Sequence, residues 1–327
     1  MEVTQIFKKF EDLKVLIIGD VMVDAYIWGA VERVSPEAPV PVVRVTKRDY
    51  RLGGAANVAL NVQALGATPV LCSAIGKDEA AEKFEHRMVE RKLSREGIIN
   101  SKDRPTTIKT RVISGHQHVV RVDEETDKPL NKYEEKELLD RILEIVATCN
   151  VVIFEDYDKG VITETIIRET ISRANELGIP TLVDPKKRNF LSYKGAYLFK
   201  PNLKELREGL KIEVDPSKAE DVEAAVLELK EILQVNGALI TLSEYGVFIN
   251  YQNEKHHIPA HIREVSDVSG AGDTVISIAG LCVASGLSPK ETAMLSNLGG
   301  GLVCEHVGVV PIEKETLVQE AMKLNTK

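Results

Sequence analysis

Six short runs are apolar at nearly every position: KVLIIGD (14–20), PVLCSAIG (69–76), VVIFED (151–156), PTLVDP (180–185), AYLFKP (196–201) and GALITLSE (237–244). A strand that alternates apolar and polar residues needs cover on one face only. A strand that is apolar throughout needs cover on both, which calls for a mostly parallel sheet between two layers of helices. The intervening segments supply the helices. GGAANVALNVQALGA (53–67) carries small and apolar residues at helical spacing and closes on Gly66; helices are also expected at 78–93, 163–178 and 217–235. Two small-residue helices, about 271–286 and 290–306, complete the α/β pattern. Ligands of such sheets gather at the carboxyl ends of the strands.

Two segments break this rhythm. PVPVVRVTKRDYRL (39–52) and TTIKTRVISGHQHVVRVDEE (106–125) alternate apolar and polar residues, and Ser114-Gly115 gives the second a turn. They predict antiparallel strands outside the main sheet. With no long linker and no internal repeat, the expectation is one domain over 1–327, with a small β lid drawn from about 22–52 and 104–125.

Composition narrows the function. The 42 basic and 50 acidic side chains give a net charge of -8, with no basic run to contact nucleic acid. Cys72, Cys149, Cys282 and Cys304 form no CxxC pair and read as buried free thiols, in keeping with a reducing cytoplasm. The start, MEVTQIFKKFEDLK, lacks an apolar signal core, and TVISIAGLCVASGL is shorter than the ~18 residues of a membrane span. No partner among nucleic acids or membranes is therefore expected.

The chemistry centres on DVSGAGDTVIS (267–277), where Gly270, Ala271 and Gly272 precede Asp273 at a helix start. Glycine permits tight turns, and successive N–H groups at a helix start attract anions. A carboxylate beside that anion site suits phosphoryl transfer: it accepts a hydroxyl proton while the N–H groups stabilise the moving phosphoryl group. An ordinary glycine-rich turn with a first-turn acid fits the same letters. PNLKE places Asn202 and Glu205 three apart at a strand-to-helix junction, suited either to Mg²⁺ held through its waters or to a capping box. Gly19-Asp20 and Asp24 follow the first strand and are either ligand-holding acids or solvated turn acids. Gly53, Gly54 and Asn57 open the next helix, for sugar approach or for close packing. His256 and His257, adjacent on a possible strand, point to opposite faces and make a poor metal pair. The GxxxxGK[ST] loop, full GxGxxG, HRD/DFG set and HExxH are all missing.

In strand 106–113, Thr107, Lys109 and Arg111 would share one face, and Ile108, Thr110 and Val112 the other. Two cations could recognise a phosphate on an acceptor's far end. The alternative is an edge strand carrying protective charges.

Taken together, these motifs resemble the ribokinase-like (PfkB) sugar kinases from about 12 to 312. GGAANVALNVQALGA with Gly76 matches the first family signature and DVSGAGDTVIS the core of the second, departing at Ile278, where a small residue is usual. The resemblance implies a three-layer α/β/α fold with a β lid that commonly pairs two protomers into a homodimer. It implies Asp273 as the base, the Gly270–Gly272 backbone as the anion hole, and Asn202 and Glu205 governing Mg²⁺. It places Thr241, Ser243 and Gly246 of TLSEYG, with Lys186, on the ATP side, and Asp24, Gly53, Gly54 and Asn57 on the sugar. It also allows K⁺ near the Asp267 loop.

RVSPEAPVPVV (33–43), EDYDKGV (155–161) and DPKKRNFLSYKGA (184–196) resemble, more narrowly, the kinase half of a bifunctional heptose kinase/adenylyltransferase. That branch phosphorylates D-glycero-D-manno-heptose 7-phosphate at C1, on the route to ADP-heptose of lipopolysaccharide. The chain has no HxGH motif, so the expectation is a kinase without the adenylyltransferase domain. Lys109 and Arg111 are then the first candidates for the 7-phosphate, with Lys186 and Arg188 in reserve. A ribokinase- or fructokinase-type enzyme for another sugar or nucleoside, and a sugar sensor on a kinase fold, stay open.

Overall fold

The structure is a computed structural model and describes residues 2–115, 117–261 and 263–325. Its strands are β1 (Lys14–Gly19), β2 (Val21–Val34), β3 (Pro41–Gly54), β4 (Thr68–Ile75), β5 (Ile98–Asn100), β6 (Ile108–Ser114), β7 (Gln117–Glu124), β8 (Val151–Glu155), β9 (Thr181–Asp184), β10 (Leu198–Phe199), β11 (Gly237–Thr241), β12 (Val247–Tyr251) and β13 (Glu254–Ile258). The helices are α1 (Val3–Phe10), α2 (Ala55–Ala64), α3 (Glu79–Glu90), α4 (Lys132–Val146), α5 (Glu164–Glu176), α6 (Leu203–Leu210), α7 (Ala219–Leu233), α8 (Ala271–Ala284), α9 (Pro289–Val303) and α10 (Lys314–Asn325).

Nine strands form one sheet in the order β13-β12-β11-β10-β9-β8-β1-β4-β5. The run from β11 to β5 is parallel, and β12 and β13 add an antiparallel edge. Alternation along each strand divides the core in two. Val15, Ile17, Val151 and Ile153 pack among α1, α2, α3, α8, α9 and α10, while Leu16, Ile18, Val152 and Phe154 pack among α4, α5, α6 and α7. Both faces are buried, as runs of unbroken apolarity require.

The second sheet has the order β3-β2-β6-β7, with β2 and β6 parallel and the outer pairs antiparallel. Its β2 is 14 residues long, buried from Val21 to Tyr26 and exposed from Val31 to Val34. One end of the sheet therefore rests on the body and the other reaches into solvent.

Several expectations need correction. Gly53 and Gly54 end β3 instead of opening a helix, and α2 begins at Ala55. AYLFKP yields only the two-residue β10. Thr107 precedes β6. Val40, Val42 and Val45, expected from the sequence to supply an apolar lid face with Val45 joining the other two only across a bulge, meet no bulge of β3 between Val42 and Val45: the β2–β3 register shifts lie at the level of Glu32, on β2, and Thr46. Cys72, Cys149 and Cys282 are buried and Cys304 half-buried, all four free. Among the described residues no helix is long and apolar enough to cross a membrane.

Candidate functional site

The carboxyl ends of β1, β8, β9, β10 and β11 deliver Asp20, Glu155, Asp184, Lys200 and Thr241 to one rim of the sheet. Asp273 is brought to this rim by α8. Gly270 caps that helix in a left-handed conformation (φ 83°), and the carbonyl of Gly270 accepts from Thr274 N–H at 3.0 Å. A side chain there would strain this turn.

Asp273 is only 4% exposed. Its Oδ2 accepts from Asn57 Nδ2 at 2.7 Å and its Oδ1 from Tyr157 Oη at 2.8 Å. Burial pushes the carboxyl up to about 6; the Asn57 and Tyr157 hydrogen bonds oppose the rise and nearby Asp184 adds to it. The result is a carboxylate that is ionised near neutrality yet still able to take a proton. Burial and the Asp273 and Glu155 carboxylates raise Tyr157, so its hydroxyl stays a donor.

Asp20 shapes the loop that carries Tyr157. It is 1% exposed, and its carboxylate accepts from the N–H groups of Tyr157 (2.9 Å), Lys159 (3.1 Å) and Val161 (3.0 Å). Three backbone donors on one buried acid fix the course of 157–161. Tyr157 is not among the candidates the sequence offers: EDYDKGV holds no motif geometry of its own, and the two signals there are the acid directly after an apolar strand and the segment's resemblance to the heptose kinase half.

Asp24 also lies at the bottom of the small sheet, and its Oδ1 pairs with Arg111 Nη1 at 2.5 Å. Gly53 makes this approach possible, since a Cβ there would sit 2.1 Å from Asp24 Oδ2. Gly54, Asn57 and Asp20 adjoin, with Ala55 N–H donating to Asp20 O at 3.0 Å. Lys109, opposite Asp123 on β7, lies 3.6 Å from Asp123 Oδ2 and 3.2 Å from Glu125 Oε2. The face of Lys109 and Arg111 is thus an internal ion-paired surface, and the solvated-edge alternative does not describe it.

Asn202 and Glu205 do form a capping box on α6, each side chain taking the other's N–H at 2.9 Å. Glu205 Oε1 also pairs with Lys186 Nζ at 2.5 Å. Beside them Lys200, 2% exposed, is paired with Asp184 at 2.7 Å. Glu155 Oε2 is buried without a partner; burial and the Asp184 and Asp273 carboxylates push that carboxyl up. Among the described residues no group of three or more His, Cys, Asp or Glu is placed to hold a metal. An oxygen-donor pair with its lone pairs partly engaged fits Mg²⁺ that keeps most of its waters, not a closed protein cage. His256 and His257 meet Glu254 and the carbonyl of Tyr245, each at 2.8 Å, and do not converge.

On the other side of Gly272 lies a cavity of about 590 Å³, lined by Thr241, Ser243 and Gly246 and by Ala271 and Gly272. Val268, Val275, Asn297 and Cys304 join the lining and were not anticipated, being scattered through α8, α9 and their flanks. Asn202, Glu205 and Lys186 lie outside it. A mostly apolar cavity ending at a glycine-rich helix start can take a flat heterocycle and aim its anionic tail at the N–H groups.

Comparison with known proteins bears on the family and the fold. Residues 12–316 match the family described as "pfkB family carbohydrate kinase". The chain is 43% identical to the bifunctional protein HldE of Caulobacter vibrioides over 304 residues, which is 92% of this chain and 62% of that one. It is 38% identical to HldE of Campylobacter curvus over 296 residues, 90% of this chain and 62% of that one. The chain therefore spans somewhat under two thirds of these relatives' length. Among solved structures, phosphofructokinase-2 from Escherichia coli in complex with potassium superposes with a TM-score of 0.79 at 17% identity, covering 96% of this chain and all of that one. Arabidopsis thaliana ribokinase complexed with ribose and ATP superposes at 0.73 and 16% identity, covering 94% and 99%.

Proposed function

The chain belongs to the pfkB family of carbohydrate kinases, and on that premise we propose that it transfers the γ-phosphoryl group of ATP to the C1 hydroxyl of D-glycero-D-manno-heptose 7-phosphate. The observation that carries the reaction is the buried Asp273, held by Asn57 and Tyr157 next to the Gly270–Gly272 turn. The identity of 36–43% to HldE proteins over most of this chain favours the heptose acceptor.

Asp273 accepts the proton of the acceptor hydroxyl as its oxygen bonds to the γ-phosphorus; the bond to the β,γ-bridging oxygen breaks and ADP leaves. The N–H groups at the start of α8 face the charge that develops on the transferred group. Asn57 and Tyr157 fix the carboxylate's orientation, so little is spent on ordering it. Asp24, Gly53 and Gly54 border the acceptor, and Thr241, Ser243 and Gly246 border the nucleotide. Asn202 and Glu205 would hold Mg²⁺ through water, and Lys186, a cation paired with Glu205, would face the nucleotide phosphates; when bound, the ion supplies positive charge to the phosphates. A monovalent cation such as K⁺ would act near Asp267, whose carboxylate already orders its loop through Ser269 and Gly308 N–H, each at 2.9 Å.

The small sheet serves as the lid and pairs two protomers. Its support is an exposed apolar surface: Val45, Val120 and Val122 are 43%, 50% and 49% exposed, and Val40 is 51% exposed just before β3. Free, mostly buried thiols favour the cytoplasm.

A panel of sugars and sugar phosphates offered with Mg-ATP, with the new phosphate located by phosphorus NMR, tests the acceptor. Phosphorylation of ribose or fructose, with the heptose phosphate left untouched, would replace this acceptor and keep the chemistry.

A further inference from the structure

Where the small sheet returns to the body, Glu125 sits between two lysines. Its Oε1 is 2.7 Å from Lys159 Nζ and its Oε2 is 3.2 Å from Lys109 Nζ. The two ammonium groups come from different parts of the molecule. Lys109 belongs to β6, in register with Asp24 on β2. Lys159 belongs to the loop fixed by Asp20, two residues beyond the tyrosine that touches Asp273. Both lysine side chains are well covered, 17% and 18% exposed.

Charge bookkeeping distinguishes this pair from the other cations nearby. Arg111 is committed to Asp24 at 2.5 Å and stacks on the Tyr26 ring. Lys186 is committed to Glu205 and Arg188 to Asp127. Asp123, the other acid near Lys109, is shared with Arg121 at 3.0 Å. Among the described residues Glu125 alone bridges Lys109 and Lys159. Partial burial pushes its carboxyl up, but the hydrogen bonds from Lys159 and Lys109 outweigh that and hold it below the usual range, so it stays an anion.

We propose that Lys109 and Lys159 form the seat for a phosphate monoester on the acceptor, and that Glu125 occupies this seat until the acceptor's phosphate displaces it. This rests on the acceptor being a sugar phosphate. A dianion with three oxygens satisfies two ammonium groups better than one carboxylate does. The seat lies on the same side as Asp24 and Tyr157, so a sugar whose hydroxyl meets Asp273 can direct its far end there. Of the four cations named from sequence, Lys109 keeps this role, Arg111 instead orients Asp24, and Lys186 and Arg188 stay with Glu205 and Asp127.

Lys159→Met, Lys109→Met and Glu125→Gln should be assayed with heptose 7-phosphate, with the same heptose lacking its phosphate, and with fructose 6-phosphate. Each lysine variant should raise KM for the sugar phosphate the wild type uses by about 10-fold or more, the scale of a lost charge-assisted hydrogen bond. KM for ATP and for the unphosphorylated sugar should stay within about twofold. Glu125→Gln should move the other way, lowering KM for the sugar phosphate, whereas a purely structural role would impair every substrate alike. Equal effects on phosphorylated and unphosphorylated sugars, or none, would overturn the seat. If the wild type uses fructose 6-phosphate and not the heptose, the heptose reading fails and the seat is still tested. If it uses no sugar phosphate, calorimetry with inorganic phosphate decides: binding that Lys159→Met weakens keeps the seat, and unchanged binding removes it.

Discussion

The two sheets bury their strands in opposite ways. In the large sheet β8 and β9 are covered at every position. In the small sheet β7 has no fully buried residue, and β3 is buried only over its last three. The large sheet can therefore hold charged groups at its rim in fixed geometry: Asp20 with three N–H donors, Asp273 with two side-chain donors, Lys200 with Asp184. The small sheet holds its ion pairs half-covered, as between Glu125 and Lys109, and four strands with one face in solvent are near the lower limit of independent stability. On the proposed function, the difference would give rigid chemistry to the first and exchangeable recognition to the second.

The strongest test strikes the rigid side. Asp273→Asn keeps the shape and removes the base, and kcat should fall by about 10²-fold or more, with nucleotide affinity largely retained in a binding titration. Turnover near the wild-type value at saturating substrate would move the chemistry elsewhere. Glu205→Gln removes a charge from the rim next to Lys186 but leaves an amide that can still serve the cap. The Mg²⁺ concentration for half-maximal rate should rise by about 10-fold, the scale seen when groups that orient a metal's shell are lost. An unchanged Mg²⁺ titration would leave Glu205 as the partner of Asn202 in the capping box and nothing more.

On the exposed side, Val122→Lys places a charge on the apolar surface of β7, where Val122 lies opposite Thr110. If that surface joins two protomers, light scattering at micromolar concentration should give a dimer for the wild type and a shift toward monomer for the variant. A wild-type monomer would remove the pairing role from the small sheet.

What was legible in the sequence follows the same division. The unbroken apolar runs marked the parallel strands β1, β4, β8, β9, β10 and β11, since a strand apolar on both faces needs cover on both, and their carboxyl ends pointed to the rim; β5, β12 and β13, toward the sheet's two edges, lie outside those runs. At Gly270 the left-handed backbone itself calls for glycine, while Ala271, Gly272 and Asp273 lie in the first turn of α8 and were legible only as an acid beside a glycine-rich helix start. The course of β2 was harder: its 14 residues change from buried to exposed midway, so neither period holds over the whole strand. Helix α4 carries a capping box at Asn131 and Glu134, yet its apolar positions lie within a strongly charged run and give no clear helical stripe in the sequence. Tyr157 and the Glu125 bridge depend on contacts between distant segments, Tyr157 with Asp273 and Glu125 with Lys109 and Lys159. No local pattern encodes those.

The smallest expected effect is the most specific. Tyr157 donates its hydroxyl to Asp273 Oδ1 at 2.8 Å, and this bond favours the ionised carboxylate. Tyr157→Phe keeps the ring and deletes the donor. A hydrogen bond to a charged group is worth about 1.5–3 kcal/mol and a neutral one about 1, so losing this donor costs the ionised carboxylate roughly 0.5 to 2 kcal/mol more than the protonated one. At about 1.4 kcal/mol per pKa unit the Asp273 carboxyl should rise from about 6 by roughly 0.5 to 1.5 units. A base works only when deprotonated, so the rate is lost as pH falls through that value. The acidic limb of kcat/KM should accordingly move to higher pH in the variant. Near pH 8 both enzymes carry an ionised Asp273, and their rates should agree within a few-fold; near pH 6 the variant should lag. A structural role for the ring alone would lower the rate equally at both pH values and leave the limb in place. In that outcome Asn57 would be the one hydrogen-bonding side chain left to set the base among the described residues, and the rim would be less rigidly prepared than its hydrogen bonds indicate.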